Sequence, residues 1–445
     1  MMKSANITPR RSITALLVLI LILSGVLTAC SPGGGSGTPG TVTTAPTTAD
    51  TPGPTESPTA SPSPTPEPDG TTGTITLWHS WDEGQVPVLV EIIRLFQDEN
   101  PRVHFDVLYI PIDDLPARFE ESARESGVPT LILGPGAWGP PLADAGLLKD
   151  LSGLPSPELV TTVNQAALGS VQYRGGLIGF PYAVNGVVLY RNRSIIPEPP
   201  ETFDDLVRLA TSATQGERVG AMLERSFFFS GGHLSATGGQ VMNEDGTPAF
   251  NTPEGAAWLE LLSAFELAGP TDFLSDQDLE LFKEGNLGFL IEGSWRQEEL
   301  LEALSSDRLA VDPWPLYGRG QLAGFVRSEN IYMNARADDE SAAAGWRFIE
   351  HFLSPEVQEL LTEAGRIPAL TSVETSDPLM NQMVAALAGG ATYPPYPAMD
   401  LYISPMDFAL RSYFQEGAAA EDALQAAEER ILEALAEQMP SEDEG

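Results

Sequence analysis

The chain has 445 residues, 42% of them apolar, and a formal charge of −38 from 24 basic and 62 acidic side chains. So acidic a surface repels phosphate backbones and excludes nucleic acid as a partner. One cysteine, Cys30, excludes an intramolecular disulfide, so the folded part is held by packing alone.

Lys3, Arg10 and Arg11 precede an apolar run from Ile13 to Leu27. At about 15 residues the run is short for a spanning helix, which needs roughly 20, and it fits a signal-peptide core over residues 1–29. It ends in Leu27-Thr28-Ala29-Cys30, which resembles the lipobox of bacterial lipoproteins. That resemblance implies cleavage before Cys30, lipidation of Cys30 and anchoring on the outer face of the cytoplasmic membrane. Residues 31–73 are Gly, Pro, Ser and Thr with hardly any large apolar side chain. They cannot bury enough surface to offset chain entropy, and with Cys30 they read as a tether over 30–73. Roughly 370 residues follow, more than one ordinary core, which predicts two lobes.

Folding chain begins at Thr74-Ile-Thr-Leu77, a strand that runs into Trp78-His-Ser-Trp-Asp-Glu83. Burying all of those polar groups would cost several kcal/mol, so the strand is expected to end at a cleft. Pro87 to Asn100 has helical apolar spacing and stops at Asn100-Pro101. Val103 to Tyr109 alternates as a strand. Asp113 to Ser126 reads as a helix capped by Asp113-Asp114. Thr130 to Leu133 is wholly apolar, as in a central parallel strand. The opening is therefore β-α-β-α-β, a parallel sheet with helices on its faces.

Gly134-Pro-Gly136-Ala-Trp138-Gly139 matches a dinucleotide fingerprint in spacing only. It follows the third strand, and Pro140-Pro141 stand where a helix should open, so it is read as a loop that brings Trp138 to the cleft. Ala143 to Leu151 reads as a short helix, Val171 to Gly179 as a hairpin turning at Gly175-Gly176, and Val187 to Arg191 as a strand. Thr202 caps a helix with Asp205 three residues on. Phe227 to His233 sets three aromatics beside glycines. Asn243-Glu-Asp-Gly246 is a turn without calcium-loop spacing. Pro253 to Glu266 and Asp278 to Gly285 are helices, and Leu287 to Ile291 is a buried strand leading to Glu292-Gly-Ser-Trp295. Val311 to Trp314 opens a loop. Ser341 to Leu353, Pro355 to Ala364 and Ala418 to Ala436 are helices. Tyr393-Pro-Pro-Tyr396-Pro is a rigid aromatic loop, and 438–445 is an acidic tail.

In order, these segments resemble the solute-binding proteins of ABC importers, in their maltose-binding-like, carbohydrate-binding group. The resemblance rests on Ile-Thr-Leu-Trp-His-Ser-Trp81, Phe96 with Glu99-Asn-Pro101, Gly127-Val-Pro129 and Gly179-Phe-Pro-Tyr182. It rests also on Leu189-Tyr-Arg-Asn192, Pro199-Pro-Glu-Thr-Phe-Asp-Asp-Leu206, Phe282-Lys-Glu-Gly285 and Ile291-Glu-Gly-Ser-Trp295. Thr130 replaces the aspartate usual after Gly-x-Pro.

The family fold is α/β and two-lobed, periplasmic-binding-protein-like. Each lobe is a mostly parallel sheet flanked by helices, and the discontinuous lobes are joined by hinge strands. The resemblance implies one lobe at 74–184 and 327–372 and the other at 187–322 and 376–437. It implies a monomer that closes on a sugar, most simply an oligosaccharide, and delivers it to the permease subunits. The ligand positions it carries over are Ser80, Trp81, Asp82, Glu83, Trp138, Asn185, Phe228, Trp295, Arg327 and Glu329, the last two on a loop. Asn185 stands where many relatives have glutamate. Trp258 and Trp346 sit on amphipathic helices and are read as core.

A hydrolase is one competing reading, with Asp82 and Glu292 or Glu329 as the carboxylate pair. No His-Glu-x-x-His, P-loop lysine or nucleophile elbow accompanies them, and four scattered histidines predict no metal site, so the chain is read as no enzyme and as needing no cofactor. A binder of another solute on the same fold and a ligand-sensing lipoprotein compete as well, since a fold does not fix its ligand.

Overall fold

The computed structural model describes residues 70–395 and 399–438. The signal sequence, Cys30, most of the tether, Tyr396 and the acidic tail beyond 438 lie outside the described residues.

The first strand, Gly73–His79, pairs in parallel with Val103–Tyr109 on one side and with Leu131–Pro135 on the other. Helix Val86–Glu99 and helix Leu115–Glu125 cover opposite faces. Leu131 and Leu133 pack with Phe96 in one apolar cluster, while Ile132 packs with Leu115 and Phe119 in another. The alternation follows from the two-residue period of a strand. The opening β-α-β-α-β therefore forms as its apolar spacing predicts.

From there the sheet continues through both lobes. Its order is Val103–Tyr109, Gly73–His79, Leu131–Pro135, Phe325–Met333, Phe180–Asn192, Leu287–Gly293, Val219–Glu224 and Thr271–Asp272. Two long strands carry it across. The crossing strand, Phe180–Asn192, and the return strand, Phe325–Met333, pair antiparallel, with Arg327 opposite Asn185 and a register shift at Glu329/Asn330. Core membership changes along each of them. Phe180, Tyr182 and Ala183 belong to the cluster of the first strand, and Val187 and Leu189 to a second cluster built around Trp258 and Phe265. On the return strand Phe325 belongs to the second cluster, Ile331 and Met333 to the first. Gly186 sits at the change, and a Cβ there would lie 2.4 Å from the Phe325 carbonyl oxygen, so the two strands approach at this point as only glycine allows. Trp258 and Trp346 are buried, as their helical spacing predicts.

Five local expectations differ from the structure. Asp114 ends before helix Leu115–Glu125 without a side-chain capping bond. Pro140 and Pro141 do not block a helix; they lie in the first turn of helix Gly139–Asp144, where the missing N–H costs nothing. That helix replaces the one expected over Ala143–Leu151. Leu309–Asp312, read in part as the start of a loop, is a strand paired with the crossing strand. Arg327 and Glu329 lie on the return strand and not on a loop.

The Leu309–Asp312 pairing places a charge pair inside the second lobe. Arg191 donates to Asp312 Oδ2 at 2.6 Å and Oδ1 at 2.9 Å, and also to the Ile196 and Pro197 carbonyls. Both side chains are buried.

His233 is equally buried, edge-on to Trp314 and Phe265. Its Nδ1 accepts the Ala323 amide at 3.2 Å, and Nε2 has no partner among the described residues. Burial drops the imidazole from 6.5 to about 4. Protons then bind the unfolded chain in preference, so stability falls as pH drops through 6.5 and goes on falling to about 4. The expected loss is roughly 3 kcal/mol at 1.4 kcal/mol per pKa unit. Urea melts between pH 7 and pH 4 measure it, and His233→Gln should flatten that part of the profile.

Candidate functional site in the interlobe cleft

At the carboxyl end of a central strand in each lobe, the chain makes the same local move. Leu131–Pro135 passes into a 3₁₀ turn ending at Trp138, and Leu287–Gly293 into a 3₁₀ turn holding Trp295. Each indole lies on a glycine of its own strand. A Cβ on Gly134 would fall 2.1 Å from the Trp138 ring, and one on Gly293 2.0 Å from the Trp295 ring. The outcomes differ. Trp138 is half-buried against the cluster that holds Ile110, Phe119 and Tyr332, whereas Trp295 is 47% exposed.

Trp295 belongs to an aromatic shelf. Phe228 lies 5.9 Å from it between ring centroids, and Tyr393 lies 6.3 Å from Phe228. The Arg327 guanidinium reaches over the Tyr393 ring at 5.8 Å. Phe228 is delivered by the helical turn Phe227–Ser230, so the aromatics beside glycines form a helix turn followed by a 3₁₀ segment. Tyr393 packs on Phe325 at 5.5 Å, which ties the shelf to the return strand.

The shelf borders a cavity of about 730 Å³ lined by Gly136, Ala137 and Ser170 from the first lobe and by Phe228, Tyr393 and Asp400 from the second, with Arg327 and Ser328 on the return strand. A second cavity of about 710 Å³ shares Pro394 and Pro395 with it. Its polar lining includes Gln172 and Arg174 on the first lobe and Gln240, Asn243 and Glu244 on the second. Volumes of this size suit a ligand of several rings, and the mixture of aromatic faces and amide or charged groups suits a polyhydroxylated one. Burial pushes the Tyr393 hydroxyl up. Behind the shelf it also pushes up the Glu224 and Glu292 carboxyls. Asp278 is pushed up to about 8 by burial, with Asp272 adding to the shift.

Of the residues expected at the ligand, Phe228 and Arg327 line the first cavity, and Trp295 joins through Phe228. Ser80, Trp81, Asp82, Glu83, Trp138, Asn185 and Glu329 line neither cavity. Trp81 is a correction of placement: its ring is 2% exposed, packed against Tyr182 and Phe352. Its indole N–H donates to the Tyr182 hydroxyl at 3.1 Å, which donates in turn to Glu329 at 2.8 Å. Arg366 pairs with the same carboxylate and lies over the Trp81 ring at 4.2 Å. Glu329, its side chain 30% exposed, is thereby held by first-lobe partners. Asp82 is exposed, and its Oδ1 accepts the Gly84 and Gln85 amides at 2.9 and 3.1 Å, which shapes the turn into helix Val86–Glu99. Asn185 is half-buried opposite Arg327. Sequence reasoning noticed the Tyr393 loop but did not place it at the ligand. Gln172, Gln240 and Asn243 gave no signal, because a cleft amide looks like any surface amide in sequence.

Two α/β lobes on one continuous sheet, with a shelf and cavities between them, define a receptor for a soluble ligand. The chain belongs to the bacterial extracellular solute-binding protein family, whose model matches residues 91–387. It is 25% identical over 331 residues to the maltotriose-binding protein of Pyrococcus abyssi, covering 70% of each chain. It is 25% identical over 269 residues to the maltodextrin-binding protein MdxE of Bacillus subtilis, covering 55% of this chain and 62% of that one. Among solved structures it resembles a cyclo/maltodextrin-binding protein complexed with maltotetraose, at a TM-score of 0.71, 20% identity, and coverage of 84% of this chain and 100% of that one. The cyclic α-maltosyl-1,6-maltose binding protein of Arthrobacter globiformis gives 0.69 and 22%, over 82% of this chain and 99% of that one. These likenesses carry the two-lobed fold. No helix among the described residues is long and apolar enough to cross a membrane.

Proposed function

We propose that the chain captures an oligosaccharide of the maltodextrin class in the interlobe cleft and delivers it to an ABC importer. The observation that carries this reading is the shelf of Phe228, Trp295 and Tyr393 beside a cavity of about 730 Å³, with Trp295 left 47% exposed. A pyranose ring has an apolar face that stacks on such a shelf, and its hydroxyls reach Arg327 and Asp400 or, toward the second cavity, Gln240 and Asn243. The maltotriose- and maltodextrin-binding relatives support the same ligand class.

The lobes are 74–184 with 327–372 and 187–322 with 376–437, and they close about a hinge where Gly186 meets the return strand. The permease selects the closed, loaded form by differential affinity. Cleavage after residue 29, a lipid on Cys30 and a tether to residue 73 hold the receptor outside the membrane as a monomer. Binding without catalysis is favoured because the carboxylates a hydrolase would need are engaged elsewhere. Glu329 is paired with Arg366, Glu292 is buried and accepts the Gly293 amide at 2.6 Å, and Asp82 holds a turn.

The test is a melt of the mature chain with glucose, maltose, maltotriose and maltotetraose, with peptides and polyamines as controls. Ligand at a hundred times its dissociation constant should add about 2.7 kcal/mol of stability. A response confined to the longer glucans supports the reading. A response only to a control class overturns the ligand.

A further inference from the structure

Three parallel strand ends on the second lobe carry acids side by side. Glu224 is in register with Asp272 on one neighbour. On the other side, Met222 pairs with Leu290, which brings Glu224 level with Glu292. Asp278 joins them from the start of helix Gln277–Lys283. Glu224, Asp272 and Asp278 are only 5%, 4% and 4% exposed. One oxygen of each lies within 4.8 Å of the others.

No basic side chain pairs with Glu224, Asp272 or Asp278 among the described residues, and Arg296 acts only on the neighbouring Glu292. Arg225, next in sequence, turns away to pair with Glu266 at 2.9 Å and to cover the Phe414 ring at 4.0 Å. Backbone amides fix how the carboxyls point. Ser226 and Leu274 donate to the two oxygens of Glu224 at 2.6 and 3.1 Å, Phe273 to Asp272 Oδ1 at 2.7 Å, and Leu279 to Asp278 Oδ1 at 2.7 Å. Asp272 Oδ1 also accepts the Ser275 hydroxyl, Asp272 and Asp278 share a side-chain hydrogen bond, and Asp272 Oδ2 is buried with no amide or hydroxyl donor. An amide uses one lone pair of an oxygen that has two, so acceptor capacity remains on all three groups.

We propose that Glu224, Asp272 and Asp278 form a divalent-cation site, suited to calcium, that clamps the strand ends from which the aromatic shelf is built. The donor set is all oxygen and anionic, the set that hard cations take. The three oxygens lie within 4.8 Å of one another, close enough for one ion with calcium's bonds of about 2.4 Å to reach all three. Magnesium dehydrates reluctantly and keeps several waters, for which carboxyls only 4–5% exposed leave little room. Residues 274–277, which connect Asp272 and Asp278 along the chain, are exposed. The clamp bears on the ligand site through the chain. Glu224 leads within four residues to Phe228, and Glu292 within three to Trp295. That consequence rests on the shelf being the ligand site; the cation site itself does not.

The experiment is equilibrium dialysis of the chelator-stripped full chain against calcium, without sugar. Sodium chloride at about 0.15 M screens the diffuse binding of an acidic surface. The expected result is one calcium retained per chain against excess magnesium, with a melting temperature raised by about 5 °C. Asp272→Asn and Glu224→Gln should each abolish the retained ion and the rise. A wild-type chain that retains no calcium overturns the proposal whatever the variants do, and so do folded variants that retain it equally. A melting temperature indifferent to calcium but rising as pH falls below about 8 would assign the cluster to a proton shared between Asp272 and Asp278, and would also overturn it. Failure of the sugar melts leaves this result untouched, which separates the two readings.

Discussion

Asp312→Ala is expected to remove about 3–5 kcal/mol from the unfolding free energy, the cost of leaving a buried charge without its partner. The Arg191 guanidinium is held by both Asp312 oxygens and by two carbonyls, and it cannot follow the lost carboxylate into solvent because its side chain is only 6% exposed. Burial pushes the Asp312 carboxyl up and Arg191 opposes that shift. The pair therefore contributes little net stability while intact and a large penalty once halved. Arg191→Met with Asp312→Leu should recover most of the loss, because an apolar pair of similar volume bears no desolvation cost. Urea midpoints of the single and double variants measure both. A single-variant loss below about 1 kcal/mol would mean that water reaches Arg191.

Trp295→Ala and Trp81→Ala should have opposite effects, although both tryptophans follow a strand end. Trp295 is half in solvent, so its loss should leave melting nearly unchanged. It should weaken sugar binding by about 2 kcal/mol, in the range of aromatic anchors at interfaces, or roughly 30-fold in dissociation constant. Trp81 is buried among Tyr182, Phe352 and Arg366, so its truncation should cost about 3–5 kcal/mol of stability through the cavity left behind. Residual folded Trp81→Ala protein should bind with near-normal affinity. Melts and sugar titrations of the two variants read this crossover directly. Unchanged affinity in Trp295→Ala would remove the shelf from the site. A large affinity loss in stable Trp81→Ala would restore the strand end to it.

Much was legible locally because the signals are local. The apolar spacing of Val88, Ile92 and Phe96, the stop at Asn100-Pro101 and the unbroken Leu131-Ile-Leu133 specify a helix and a central strand from neighbours within one or two turns. Thr202 caps its helix through the Asp205 amide three residues away, as the pattern predicts. Where local signals were ambiguous the reading slipped. Leu309–Asp312 is four residues long, too short for a period to show. Pro140-Pro141 suits a break as well as a helix start, and only the packing of Leu142 beneath the turn decides between them.

The family, the two-lobed α/β plan and the aromatic character of the site follow from the order of short segments along the chain, since hydrophobic period and turn chemistry act within a few residues. Which aromatics face the ligand does not. Trp81, Trp138 and Trp295 have similar local settings, and their exposure depends on what comes from far along the chain. Tyr182 and Arg366 reach Trp81 from 101 and 285 residues away, Trp138 packs against a cluster that takes in Tyr332 from far along the chain, and Trp295 stays half in solvent. Burial is a sum over such distant contacts, and so is the gathering of Glu224 and Asp272 at neighbouring strand ends with Asp278 from a helix start, which no spacing within the chain announces.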